Sequence, residues 1–316
     1  MSGMDIIKSA VIGHAVGDAL GVPVEFMSRE ELQEHPVTDM LGYGSHNVPK
    51  GTWSDDTSMA LCTLHSIKVQ GKIDLDHIMQ EFGKWLDNGY MTPYGEIFDI
   101  GRTCLHAIID YHNGKDAQHC GGNGEYDNGN GSLMRIIPVS LYNYIKQVDR
   151  NVAISYVHAV SALTHSHPRA YIACGIYDFV VQALIETPKK SSIKSALAEA
   201  YEFYRDENEL KHYERLFSPD FELTPDNCIK SSGYVVDTLE AAIWCLLNTD
   251  SYTQCVLKAV NLGEDTDTVA AVAGGLAGIL YGYEQIPTAW INVLAKKQEI
   301  IDMCEKFYEK LTDKKQ

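Results

Sequence analysis

The chain has 316 residues, 45% apolar and 22% charged, with 43 acidic side chains against 26 Lys plus Arg. That length buries a sizeable core unaided, and the net charge of −17 excludes broad binding to nucleic-acid phosphates, which rests on lysine and arginine displacing counterions. Eight cysteines without a C-x-x-C pair exclude a disulfide framework and point to reduced, buried thiols in the cytoplasm.

In chain order the expected elements are helical. Residues 1–26 are apolar, but His14 and Asp18 interrupt them, so no signal peptide is expected. Ile7, Val11, His14 and Asp18 are spaced to share one face of a first helix, with His14 and Asp18 expected as a satisfied buried pair. Met59, Cys62, Thr63 and Ile67 form a second such face. Pro168 opens a helix continuing over 171–184. Residues 192–204 read as a solvated amphipathic helix and 235–247 as a buried one. The stretch 269–280 is rich in alanine and glycine, so its neighbours approach closely. Residues 269–283 are too few to cross a bilayer, and no membrane partner is expected. Period-two alternation is scarce. The expected fold is therefore all-α, one domain over 1–316 with ten or more helices. Three loops break the rhythm, at 42–56, at 121–131 (five glycines in eleven residues) and at 217–233. Long loops in compact domains tend to be functional.

Ser54-Asp55-Asp56-Thr57 is first of all a helix N-cap, since serine and aspartate satisfy free N–H groups and complement the helix dipole. Asp265-Thr266-Asp267-Thr268 has the same reading. Yet Asp265 and Asp267 would point about 200° apart on a continuous helix, so both reach one point only from a loop or a distorted first turn. Two such clusters, each opening an apolar helix, exceed what capping requires, and their hard oxygens suit Mg²⁺ or Mn²⁺ rather than zinc. Glu25 lies among Val22, Val24 and Phe26, where an ionised carboxylate needs a partner. The glycine loop runs into Ser132-Leu133-Met134-Arg135, read as a helix start of the kind that cradles phosphate. It lacks the Lys-Ser/Thr ending of a P-loop. His165 and His167 are a weak metal signal, and a helix cap or substrate contact fits them equally well.

Together GHAVGDALGVPVEF (13–26), GTWSDDTSMALC (51–62), GNGSLMR (129–135), THSHPRA (164–170) and GEDTDTVAAVAGGLAG (263–278) resemble the ADP-ribosylglycohydrolase family. The resemblance implies an all-α fold with two Mg²⁺ or Mn²⁺ ions at the base of a cleft. Ser54, Asp55, Asp56, Asp265, Asp267 and Thr268 would be ligands, with Asp267 bridging. Glu25 would stand beside the scissile bond, and either Glu25 or Asp56 would act on water or on the oxocarbenium-like transition state. Gly129, Asn130, Gly131 and Ser132 would hold the diphosphate or distal ribose, His165 the ribose or phosphate, and Gly233 and Tyr234 would line the cleft. Where family members carry an aromatic residue after the GNGS-like element this chain has Leu133, which puts adenine stacking there in question. The Ser54 form of the first motif and His165-x-x-Pro168 lean towards ADP-ribosylarginine, carried by a protein or a small conjugate. ADP-ribosylserine and O-acetyl-ADP-ribose are alternatives, as are a non-catalytic ADP-ribose reader, a toxin-neutralising immunity protein and a metal-dependent phosphohydrolase.

Overall fold

A computed structural model describes residues 1–313. Among them are fourteen α-helices, joined by loops and short 3-10 turns, and three isolated β-bridges that never extend into a strand. The first half carries α1 (Gly3–Gly21), α2 (Arg29–Glu34), α3 (Asp55–Gln70), α4 (Leu75–Asn88), α5 (Arg102–His112), α6 (Ile137–Lys146) and α7 (Arg150–Ala162). The second carries α8 (Pro168–Glu186), α9 (Lys190–Tyr204), α10 (Val235–Leu247), α11 (Tyr252–Val260), α12 (Thr266–Tyr281), α13 (Thr288–Val293) and α14 (Lys297–Thr312). One apolar cluster runs through them from Ile6 to Leu311. No helix among the described residues is long and apolar enough to cross a membrane. All eight cysteines are free thiols, Cys228 alone being exposed.

The central pair is α1 against α12, and small residues decide how close it comes. Gly13 faces Gly274, Gly17 faces Ala270 and Gly21 faces Asp267, so the helices run antiparallel in a fixed register. A Cβ on Gly17 would lie 2.1 Å from the Ala270 carbonyl oxygen, and one on Gly21 2.3 Å from the Asp267 nitrogen. Backbone meets backbone here because neither glycine brings a side chain. Thr266 Oγ1 locks the register by donating to the Gly21 carbonyl at 2.8 Å. The end of α1 and the start of α12, with its two aspartates, are thereby held together.

The expected helices at 171–184, 192–204 and 235–247 are present as α8, α9 and α10. The α9 helix is amphipathic as expected, burying Ile193, Ala196, Leu197, Ala200 and Tyr204. The glycine loop departs from expectation, leading only into a 3-10 turn at Leu133–Arg135. Pro138 has no N–H to donate backwards, so α6 begins beside it. Arg135 is fully buried, donating to the Val160 carbonyl (3.2 Å) and Thr164 Oγ1 (2.6 Å), which fixes the turn in the core.

Candidate active site

Three helix ends converge. Asp18, near the end of α1, accepts from Ser54 N (2.9 Å), Thr57 N (3.0 Å) and Thr57 Oγ1 (2.6 Å). It thus caps α3 from another helix, which corrects its expected pairing with His14. Ser54 is the N-cap of α3 and donates to Asp56 Oδ2 at 3.1 Å. Thr268, in the first turn of α12, donates to the same oxygen at 3.3 Å. Asp265 is the N-cap of α12, outside the helix, after Glu264 in the left-handed region (φ 62°), whereas Asp267 lies in the first turn. That break in the helix brings both acids to one point: oxygens of Glu25, Asp265 and Asp267 lie within 4.8 Å of one another.

The cluster is strongly polarised. Burial first, then repulsion from neighbouring carboxylates, pushes Asp55, Asp56 and Asp267 well above the usual carboxylate range. Burial raises Asp18 to about 6 and Glu25 to about 7, the latter against an opposing hydrogen bond from His46. Asp56 Oδ1 and Asp267 Oδ2 are buried without a hydrogen-bond partner. Unpaired buried carboxylate oxygens are costly. Divalent cations are the counter-charge that hard carboxylate and hydroxyl oxygens accept, so the residues present fit a metal centre. The N-termini of α3 and α12 add only partial positive charge.

A cleft of about 280 Å³ opens over this floor. Glu25, Asp55, Asp56, Asp265 and Thr268 line it together with Gly129, Asn130, Gly131, His165 and Gly233. Asn130 ties the two groups together, its amide donating to Asp265 Oδ2 at 2.8 Å and its backbone N–H to the Gly233 carbonyl at 3.0 Å. Two residues expected to contact substrate, Ser132 and Tyr234, are not among those lining the cleft. The Ser132 hydroxyl is fully buried, taken by Ser161 Oγ at 2.9 Å and Cys174 Sγ at 3.5 Å. Tyr234 turns its ring towards Arg169, 5.8 Å away, and only its backbone reaches the glycine loop, through a bridge to Gly129. Two wall residues, and one that backs Glu25, escaped sequence reading. His46 hydrogen-bonds Glu25 through Nε2, Asp99 completes a triad with them, and Arg102 opens α5 at the cleft. His46 sits in the flagged 42–56 loop, but no local pattern marks it.

His165 enters the cleft uncharged. Burial, with the Arg135 cation nearby, lowers it to about 3. Arg135 donates to Thr164 Oγ1, which shares a hydrogen bond of 2.8 Å with His165 Nδ1, and His165 Nε2 faces Gly129. It meets a substrate as a neutral ring rather than as a cation. The unfolded ring takes up a proton below about 6.5, so the folded ring costs the protein about 2 kcal/mol at pH 5 relative to pH 7. In urea unfolding, the stability advantage of the wild type over His165→Asn should shrink by that amount between pH 7 and pH 5. An unchanged difference would mean that the folded ring titrates like the unfolded one.

The sequence model of the ADP-ribosylglycohydrolase family matches residues 2–316. The chain belongs to the ADP-ribosylglycohydrolase family. Among its relatives is a protein of Serratia proteamaculans named ADP-ribosylarginine hydrolase Tri1, 34% identical over 96% of this chain and 79% of its own length. Another is the ADP-ribosyl-[dinitrogen reductase] glycohydrolase of Rhodospirillum rubrum, 34% identical over 93% of this chain and 92% of its own. A solved structure described as an ADP-ribosylglycohydrolase-related protein complex superposes with a TM-score of 0.81 at 29% identity, covering 98% of this chain and 99% of that one.

Proposed function

We propose that this glycohydrolase cleaves the N-glycosidic bond between ADP-ribose and arginine in a modified protein or small conjugate. The observation that carries the reading is the acid cluster beneath the cleft, where buried carboxylates leave Asp56 Oδ1 and Asp267 Oδ2 unpaired. Ser54, Asp55, Asp56, Asp265, Asp267 and Thr268 would hold two Mg²⁺ or Mn²⁺ ions. Such ions would supply Lewis acidity for orienting a ribose diol and for lowering the pKa of a water. Gly129, Asn130 and Gly131 give the ribose and diphosphate uncharged backbone and amide groups, with the neutral His165 ring beside them. In the reaction a water oxygen bonds to C1″ as the C1″–N bond breaks, and the departing guanidine takes the proton. We assign the proton transfers to Glu25, which stands in the cleft wall against His46. Asp56 is left as a ligand, because Ser54 and Thr268 hydroxyls already bind its Oδ2.

The arginine acceptor is favoured by the relatives' names and by the acidic wall, which suits a cation. The free thiols suit the cytoplasm, where we place the protein. The test is a panel of arginine-, serine- and cysteine-linked ADP-ribosyl peptides plus O-acetyl-ADP-ribose, followed by chromatography of released ADP-ribose. Release from the arginine peptide alone, abolished by EDTA and restored by Mg²⁺, is expected. Turnover that persists in EDTA removes the metal mechanism, preferential release from another conjugate removes the arginine assignment, and binding without release makes the protein a reader.

A further inference from the structure

Beside Glu25 stands an exposed aromatic residue in an uncommon backbone conformation. Phe26 has φ 68°, a left-handed backbone that a bulky side chain rarely adopts, and its ring is 71% exposed. Asparagine or glycine would take that backbone more readily, and almost any polar residue would expose less apolar surface. The backbone is nevertheless fixed. Phe26 N–H donates to the Glu264 carbonyl at 2.7 Å and Glu264 N–H donates to the Met27 carbonyl at 2.8 Å. The strained segment that follows Glu25 is thus tied to the one that precedes Asp265. The ring lines the cleft, 5.8 Å from His46 centroid to centroid, at the side where Glu25 and Asp99 concentrate negative charge. Strain of this kind persists only where the surrounding structure holds it, as these two hydrogen bonds do, and it collects at ligand sites.

We propose that the Phe26 ring is the acceptor platform: it packs against the guanidinium of the modified arginine, with Glu25 and Asp99 supplying the negative wall. This rests on the arginine reading above and names the residue that enforces it. An aromatic face attracts a weakly hydrated planar cation and offers little to a serine O-glycoside or an acetyl group.

The experiment compares wild type, Phe26→Leu and Phe26→Tyr on an ADP-ribosylarginine peptide, with free ADP-ribose as product inhibitor. Phe26→Leu should raise KM on the order of 10-fold, with kcat within about twofold and the inhibition constant of ADP-ribose unchanged. Phe26→Tyr keeps the aromatic face and should keep the wild-type KM, which separates loss of the ring from damage to the fold. A KM for Phe26→Leu within twofold of wild type overturns the proposal. So does a parallel rise in the ADP-ribose inhibition constant, because the ring would then serve the ADP-ribose end, and so does failure of Phe26→Tyr. A wild type inactive on arginine conjugates removes the underlying reading instead.

Discussion

Asp267→Asn is expected to reduce turnover at least about 100-fold, abolish the rise in Tm on adding Mg²⁺, and leave the EDTA-treated protein as stable as wild type or more so. Asp267 is 1% exposed, and one of its oxygens accepts from Thr268 N–H at 2.9 Å while the other has no partner. Burial and the charges of Glu25, Asp56, Asp265 and Asp18 all disfavour its ionised form. An asparagine carries no charge, so replacing the carboxylate relieves that repulsion in the metal-free protein. The same change removes a ligand at the centre of the cluster. Ligand-linked stabilisation grows with cation concentration over Kd, so a weakened site shows directly as a lost Tm shift. Thermal melts with and without Mg²⁺, beside initial rates, check all three outcomes. Retained turnover would take Asp267 out of the site, and a collapsed metal-free Tm would make its role structural.

Much of this site was legible before the fold, and what was not has a physical reason. The paired acids at Asp265 and Asp267 posed a geometric problem that only a helix beginning between them solves, and α12 does begin at Thr266. The clusters at Ser54–Asp56 and Asp265–Thr268 were readable because each lies within a few residues of a helix start, where local rules apply. His46 and Asp99 were not, because they belong to irregular segments that meet Glu25 only through tertiary packing. Asp18 was misread for the opposite reason: its spacing on α1 suggested His14, one turn away, while the N–H groups that claim it lie 36 and 39 residues further along. Ser132 follows a motif that runs through the cleft, but its own side chain points to α7 and α8, a direction set by the buried 3-10 turn. The expectation that 269–280 lets its neighbours approach closely was correct, although only the coordinates show which residue of α1 meets which of α12.

That register makes the second large effect predictable. Gly17→Ala replaces a helix-interior glycine by the best helix former, a change worth up to about 1 kcal/mol in favour of the fold in an isolated helix. Here the sign reverses, because the new Cβ would stand 2.1 Å from a backbone carbonyl of Ala270 and neither helix has a flexible side chain to move aside. Separating the pair costs about 3 kcal/mol, an expected fall in Tm of roughly 5–10 °C. Gly101→Ala, whose added carbon meets nothing within 4 Å, is the control and should stay within about 1 kcal/mol of wild type. Gly21→Ala carries the effect into the site, because its Cβ would collide with the backbone of Thr266 and Asp267. It should lower Mg²⁺ affinity and turnover as well as stability, whereas Gly17→Ala, one turn further from the acids, should lower stability more than activity measured below its Tm. If both variants melt like wild type, the close approach of α1 and α12 is wrong, and with it the account of how the two acidic clusters are brought together.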